Sequence, residues 1–104
     1  MAKIVGTDDI RSTTTQYYTI KNSNSPLTFQ YINGLDADVD ITVEATHAED
    51  DSFSEAVELM SGKTVANSSE DYDTMGYPWD QIRFAVTAAS TPSNGTFKIL
   101  KMGE

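Results

Sequence analysis

The chain has 104 residues, with 16 acidic side chains against 7 basic ones and a formal net charge of -9. That length closes one small core and excludes a two-domain enzyme. The acidic balance excludes a phosphate-binding surface of clustered Lys and Arg, so no nucleic-acid partner is expected. No run reaches the roughly 18 apolar residues of a membrane helix, and the start, Met1 to Gly6, lacks the apolar core of a signal peptide. Both predict a protein made and kept in the cytosol, with no membrane partner. Without cysteine there is no disulfide framework and no thiolate site, and stability must come from packing or from neighbours.

Five Lys and two Arg face ten Asp and six Glu, while Ser and Thr together supply 23 residues. Two readings compete. A high-salt environment makes self-repulsion tolerable, because the Debye length falls to about 3 Å at 1 M salt. An ordinary acidic cytosolic protein is the other, since added carboxylates favour solubility anywhere.

Residues 1–13 mix charge with Ser and Thr and show no sustained period, which predicts a flexible or partner-bound N-terminal arm. Ile4, Val5 and Ile10 are its apolar residues, placed to add to a neighbour's sheet or to anchor on a shell. Residues 14–104 then form a single β-sandwich domain. Residues 14–21 are rich in Thr and Tyr and read as a strand, and residues 22–26 read as a turn. Leu27, Phe29 and Tyr31 alternate with Thr28, Gln30 and Ile32 before Asn33-Gly34, a strand followed by a tight turn. Val39, Ile41, Val43 and Ala45 alternate with Asp38, Asp40, Thr42 and Glu44, giving one core face and one acidic face.

Residues 51–60 fit two periods. Ser52 and Glu55 have capping-box spacing, and Phe53, Ala56, Val57 and Met60 share a helical face. With period two, Phe53, Val57 and Leu59 share a strand face with Glu55, and the short distance to Gly62 favours this strand. Ile82, Phe84, Val86 and Ala88 alternate with Gln81, Arg83, Ala85 and Thr87, the clearest strand in the sequence. Residues 91–95 end in Asn94-Gly95, which predicts a hairpin turn before a last strand at residues 96–102. Short strands joined by Gly, Pro, Asn and Ser turns predict an all-β fold, an antiparallel β-sandwich that is jelly-roll-like.

The chemical motifs fail on spacing. Ser61-Gly62-Lys63-Thr64 looks like the tail of a phosphate-binding loop, but Val57 stands where the first Gly is needed, and a β-turn is expected instead. Asp36, Asp38 and Asp40 start like a Ca²⁺ loop, yet Ile41 and His47 occupy the places of the obligatory Gly and the bidentate Glu. The loop acids Glu49, Asp50, Asp51, Glu70, Asp71 and Asp73 are expected to be solvated charges, with a weakly Ca²⁺-stabilised adhesion domain as a third reading. His47 is the only histidine, and no nucleophile elbow accompanies it. No catalytic residue, metal site or cofactor is therefore expected. Asn67-Ser68-Ser69 and Asn94-Gly95-Thr96 match the glycosylation sequon and are read as turn composition. Tyr72, Tyr77 and Trp79 stand close together around Gly76 and Pro78. They are expected to bury at an edge or subunit interface, or else to stack on sugar rings as a carbohydrate-binding module.

From Tyr77-Pro78-Trp79 through Gln81-Ile82-Arg83-Phe84-Ala85-Val86-Thr87 to Thr91-Pro92-Ser93-Asn94-Gly95-Thr96, the sequence resembles the ending of small β-sandwich virion proteins of tailed viruses. Residues 53–59 and 62–66 fit as the preceding strand pair, so the resemblance covers residues 50–102. It implies a non-enzymatic head decoration, vertex turret or tail component, made in the host cytoplasm and carried in the virion. Its partners would be copies of itself, as a homotrimer or homopentamer, and other virion proteins. Joined to the acidic composition, it points to a virus of a halophilic archaeon. Symmetric assembly would cover the open sheet edges and bury the loop aromatics. Arg83, outward on its strand, is expected to pair with acids of the adjoining strand or subunit.

Overall fold

The computed structural model describes residues 3–21, 27–46, 56–75 and 79–102, with no statement on the side chains of Leu27 and Met75. The strands are β1 (Lys3–Asp8), β2 (Gln16–Lys21), β3 (Leu27–Asn33), β4 (Val39–Thr46), β5 (Val57–Val65), β6 (Ser69–Met75), β7 (Gln81–Ala88) and β8 (Phe97–Met102). No helix occurs among the described residues. A first sheet has the order β1-β8-β3-β6 and a second the order β2-β7-β4-β5, with all pairings antiparallel. β1 pairs with β8, β2 with β7, β3 with β6 and β4 with β5, as in one long antiparallel ribbon rolled upon itself. The β3–β8 and β4–β7 ladders complete the roll. This is the expected antiparallel sandwich, in jelly-roll order.

The strands form where period two sets apolar residues on one face. Val39, Ile41, Val43 and Ala45 of β4, Ile82, Phe84 and Val86 of β7, and Phe97 and Ile99 of β8 are all fully buried. Phe29 and Tyr31 of β3 reach across to Phe84 of β7, with ring centroids 4.8 and 6.1 Å away and both contacts edge-on. That arrangement suits the ring quadrupoles and joins the sheets at mid-sandwich.

Five local expectations are corrected. Glu70, Asp71 and Asp73 are not loop acids: they lie within β6, and Asp71 and Asp73 hold Lys63. Lys3–Asp8 is no arm: it is an edge strand of its own sheet, and Ile10 lies in the core at 4% exposure. The period is hidden by a bulge, because Ile4 pairs with Leu100 and Gly6 with Ile99, leaving Val5 extra. Gly6 lies against the Tyr18 ring, where any Cβ would collide, and the Tyr18 hydroxyl donates to Asp8 at 2.9 Å.

Neither Asn-Gly pair makes a hairpin. Asn33-Gly34 carries the chain from β3 in the first sheet to β4 in the second, and Asn94-Gly95 leads from β7 in the second to β8 in the first. The two crossings pack on each other: the Gly34 N–H donates to the Thr96 carbonyl at 2.9 Å, and Gly95, with φ 92°, presses on the Gly34 carbonyl. Asn33 pins the first crossing to the end of β5. Its buried Nδ2 donates to the carbonyls of Ala37 (3.0 Å), Val65 (3.0 Å) and Ala66 (3.2 Å), and its Oδ1 accepts from the Leu35 N–H at 3.1 Å.

Ser61–Thr64 is not a turn between elements. It lies within β5, where Ile41 pairs with Lys63 and Val43 with Met60, so Ser61 and Gly62 together oppose Thr42. Gly62 has φ 68°, a bulge conformation that glycine adopts without penalty. The strand expected over residues 51–60 is present from Val57 onward, but its alternation is broken: Val43 pairs with Met60 and Glu44 with Glu58, so Leu59 is extra, and Val57 is half-exposed while Leu59 and Met60 both pack against the core. Phe53, Ser54 and Glu55 lie outside the described residues.

Candidate binding face

The outer side of the first sheet gathers the side chains least suited to water. Register aligns Ile4, Leu100, Gln30 and Tyr72 in one row across all four strands. The adjacent row holds Met102, Thr28 and Thr74. Ile4 is 63% exposed, Tyr72 66% and Met102 49%. Apolar side chains standing next to one another on an acidic surface mark a contact face more readily than scattered ones do. Leu100 and Met102 were missed because residues 96–102 carry apolar groups on both phases. Phe97 and Ile99 point inward, leaving Leu100 and Met102 outward.

Between β3, β6 and β8 this face forms a hollow of about 360 Å³, lined by Thr28, Gln30, Glu70, Asp71, Tyr72 and Met102. Gln30 Nε2 donates to Glu70 Oε1 at 3.2 Å, and the hydroxyls of Thr28 and Thr74 are 3.4 Å apart. The hollow thus has an aromatic plate, an apolar wall and a polar floor, the ingredients of a small-ligand site.

Its rim on β6 is closed to further strands. Lys63 reaches from β5 with Nζ 3.2 Å from Asp71 Oδ2 and 3.4 Å from Asp73 Oδ1, and it donates to the Tyr72 carbonyl at 3.3 Å. Asp71 Oδ1 accepts the Tyr72 N–H at 2.8 Å. Both backbone groups of Tyr72 are therefore taken by side chains at the centre of an edge strand. Partial burial pulls the Lys63 ammonium down, but the hydrogen bonds and charges of Asp71 and Asp73 outweigh it and leave its pKa raised. The Asp71 carboxyl lies below its ordinary range, chiefly through the Tyr72 N–H and then through Lys63.

The remaining candidates are dispersed. Val5 and Trp79 pack against the core, so of the two described aromatics Tyr72 stands on the face and Trp79 does not; Tyr77 lies outside the described residues. Arg83 lies on the outer side of the opposite sheet, where Nη2 and Nε contact Glu44 Oε1 at 2.9 and 3.2 Å and the guanidinium sits 4.7 Å from the Tyr17 ring centroid. Its acid partner is thus on the adjoining strand of the same chain.

Asp36, Asp38 and Asp40 do not converge on a cation. Asp36 accepts from the Ser93 N–H at 2.9 Å, Asp38 from the Asn67 N–H at 2.8 Å and Asp40 from the Thr64 hydroxyl at 2.7 Å. Among the described residues no group of three His, Asp or Glu side chains is placed to hold a metal. His47, Glu49, Asp50 and Asp51 lie outside them. Asn67 and Asn94, the sequon positions, both stand in loops tied by these carboxylates.

Solved structures share the fold at low identity. The prophage exported protein XepA of PBSX superposes with a TM-score of 0.70 at 12% identity, over 100% of this chain and 38% of that one. This chain therefore corresponds to well under half of XepA's length. A chitosan-binding module from a chitosanase/glucanase of Paenibacillus sp. IK-5 gives a TM-score of 0.64 at 12% identity, over 93% of this chain and 76% of that one. A Bacillus endospore appendage protein gives 0.57 at 13% identity, over 97% and 84%. No protein-family model and no curated protein matches the sequence. At these identities the likeness establishes a β-sandwich fold that serves exported, appendage and sugar-binding proteins alike.

Proposed function

We propose that this protein is a non-enzymatic structural component of a tailed-virus particle, assembling with copies of itself and with other virion proteins through the outer face of the first sheet. The observation that carries the reading is the row of Ile4, Leu100, Gln30 and Tyr72 with Met102 beside it. A chain that caps its β6 edge internally while leaving such a face uncovered is suited to stacking against neighbours by that face. The sequence resemblance of residues 50–102 to virion proteins, and the fold shared with a prophage exported protein and an appendage protein, support the same reading. The acidic, lysine-poor composition extends it to a virus of a halophilic archaeon, with synthesis in the host cytoplasm and residence in the virion.

The test is mass in solution at low and molar salt, for the natural chain and for Ile4→Glu. A trimer or pentamer that Ile4→Glu disperses, with an unchanged circular-dichroism spectrum, is the expected result. A strict monomer at both salts refutes the self-assembly on which the reading depends.

Carbohydrate binding is the second reading, favoured by the hollow beside Tyr72 and by the fold shared with a chitosan-binding module. Tyr72, rather than Trp79, is the residue it rests on. Glycan-array binding abolished by Tyr72→Ala is its expected outcome.

A further inference from the structure

We infer that the hollow beside Tyr72 selects an oligosaccharide bearing free amino groups, a glucosamine-type glycan, over its neutral or anionic counterparts. The inference rests on the carbohydrate reading and adds the chemistry of the sugar. The Tyr72 ring is two-thirds exposed, and a pyranose presents a face of C–H bonds that stacks on such a plate. Met102 closes one side with apolar surface, and Thr28 and Gln30 offer hydroxyl and amide groups for the sugar's own hydroxyls.

Charge then narrows the class. Of the six residues lining the hollow two are carboxylates, Glu70 and Asp71, and none is basic. Asp71 is committed to Lys63 and to the Tyr72 N–H, so its charge is partly neutralised. Glu70 is exposed and its contact within the hollow is the neutral amide of Gln30, which leaves its full negative charge facing a ligand on the Tyr72 plate. An ammonium there meets the carboxylate of Glu70 and the π-face of Tyr72 at once. The net charge of -9 adds a long-range attraction for a polycation and repels uronic or sulfated chains.

The experiment uses the full chain in isothermal titration at low and molar salt, with glucosamine hexamer, N-acetylglucosamine hexamer and spermine as probes. Glucosamine hexamer is expected to bind at least about tenfold more tightly than the acetylated hexamer, the size of one charge-assisted contact. Glu70→Gln should erase that preference while sparing weak binding of both hexamers, and molar salt should reduce it. Tyr72→Ala should abolish binding of both. Equal binding of the two hexamers, unaffected by Glu70→Gln, overturns the amino-sugar inference and leaves the carbohydrate reading standing. Spermine binding as tightly as the glucosamine hexamer overturns it in favour of a bare ammonium site. Absence of binding to either hexamer refutes the carbohydrate reading itself. Glu70 and Tyr72 are both exposed, so neither substitution threatens the fold.

Discussion

Replacing Asn33 tests whether one amide ties the β3–β4 crossing to the end of β5. Asn33 is 1% exposed; its two amide N–H groups are shared among the carbonyls of Ala37, Val65 and Ala66, and its Oδ1 accepts from the Leu35 N–H. These partners belong to the β3–β4 crossing and to the end of β5, so one side chain fastens segments 32 residues apart. At about 1 kcal/mol net for each bond, with more where a buried group is left unpaired, Asn33→Ala should cost about 3–5 kcal/mol. A domain of this size has on the order of 5–15 kcal/mol in all, so the loss is a large share of its stability. Urea unfolding followed by Trp79 fluorescence and by far-ultraviolet circular dichroism measures it, the two probes together checking for two-state behaviour. Asn33→Asp keeps the shape and the acceptor to Leu35 but sets a carboxylate against three carbonyls. It should be less stable than Asn33→Ala at neutral pH and should recover on acidification, when its protonated oxygen becomes a donor again. A cost below about 1 kcal/mol for Asn33→Ala would show that the crossing holds without the amide.

Arg83→Ala should lower stability by about 1 kcal/mol, since a half-buried ion pair with Glu44 and a ring contact with Tyr17 are lost together. Because both partners are in the same chain, the mass in solution should not change; a shift in mass would place Arg83 at a subunit contact. Gly95→Ala should be far more damaging than Gly62→Ala in a thermal melt: both have positive φ, but a Cβ at Gly95 meets the Gly34 carbonyl whereas at Gly62 it meets open space. Equal melting temperatures for the two variants would contradict the packing of the crossings. Burial raises the pKa of both the Tyr31 and the Tyr18 hydroxyl above the ordinary value, Asp73 adding to it at Tyr31 and Asp8 at Tyr18. The folded state therefore keeps protons that the unfolded chain loses near pH ~10, so stability is complete below that pH and falls as pH rises beyond it. Urea midpoints across the alkaline range should decline, and less steeply in Tyr31→Phe. The Asp36 carboxyl is held below its ordinary range first by the Ser93 hydroxyl and then by the Ser93 N–H. Its contribution is present above the unfolded pKa and is lost as pH falls through the folded one, so Asp36→Asn should flatten the acid limb of the stability curve.

The parts of the fold legible in the sequence were those where period two survived without interruption. β4 and β7 read directly, because every second residue from Val39 to Ala45 and from Ile82 to Ala88 is apolar and buried. β1 and the middle of β5 did not, because one extra residue at Val5 and one within the Ser61-Gly62 bulge each reverse the phase within a strand. Asn-Gly composition correctly marked where strands end but not where the chain goes next. Gly95 has the positive φ that a hairpin turn would also use, whereas Gly34 crosses between the sheets without one, so only the roll decides where each Asn-Gly pair leads. The candidate face was half legible. Tyr72 and Ile4 were identified as contact residues, yet they belong together only through β8 and β3, which the linear sequence places far from either. Arg83 and Trp79 seemed close to Tyr72 in sequence and stand elsewhere, because β6 and β7 lie in different sheets.

That separation bears on how the protein meets its neighbours. A small sandwich with open edges invites strand addition, and the sequence suggested that symmetric partners cover them. The structure shows three of the four edge strands blunted from within, while β2 runs alongside β7 from Gln16 to Lys21 without a bulge. β1 carries the Val5 bulge, β5 carries the Gly62 bulge, and the centre of β6 has its N–H and carbonyl taken by Asp71 and Lys63. Each device spoils the flat, unpaired ladder that another strand needs. Four of the five exposed large apolar groups, by contrast, lie on the faces: Ile4, Tyr72 and Met102 on one and Tyr17 on the other, with Val57 at the start of the edge strand β5. The proposed self-association is therefore assigned to the faces rather than to the β1, β5 or β6 edges. Screening the net charge of -9 eases the approach of copies by either route, so a mass that rises with salt is common to both. Met102→Glu separates them, because it sets a charge on the face of an inner strand and leaves every edge backbone group untouched: it should disperse a face-joined assembly and leave an edge-joined one intact.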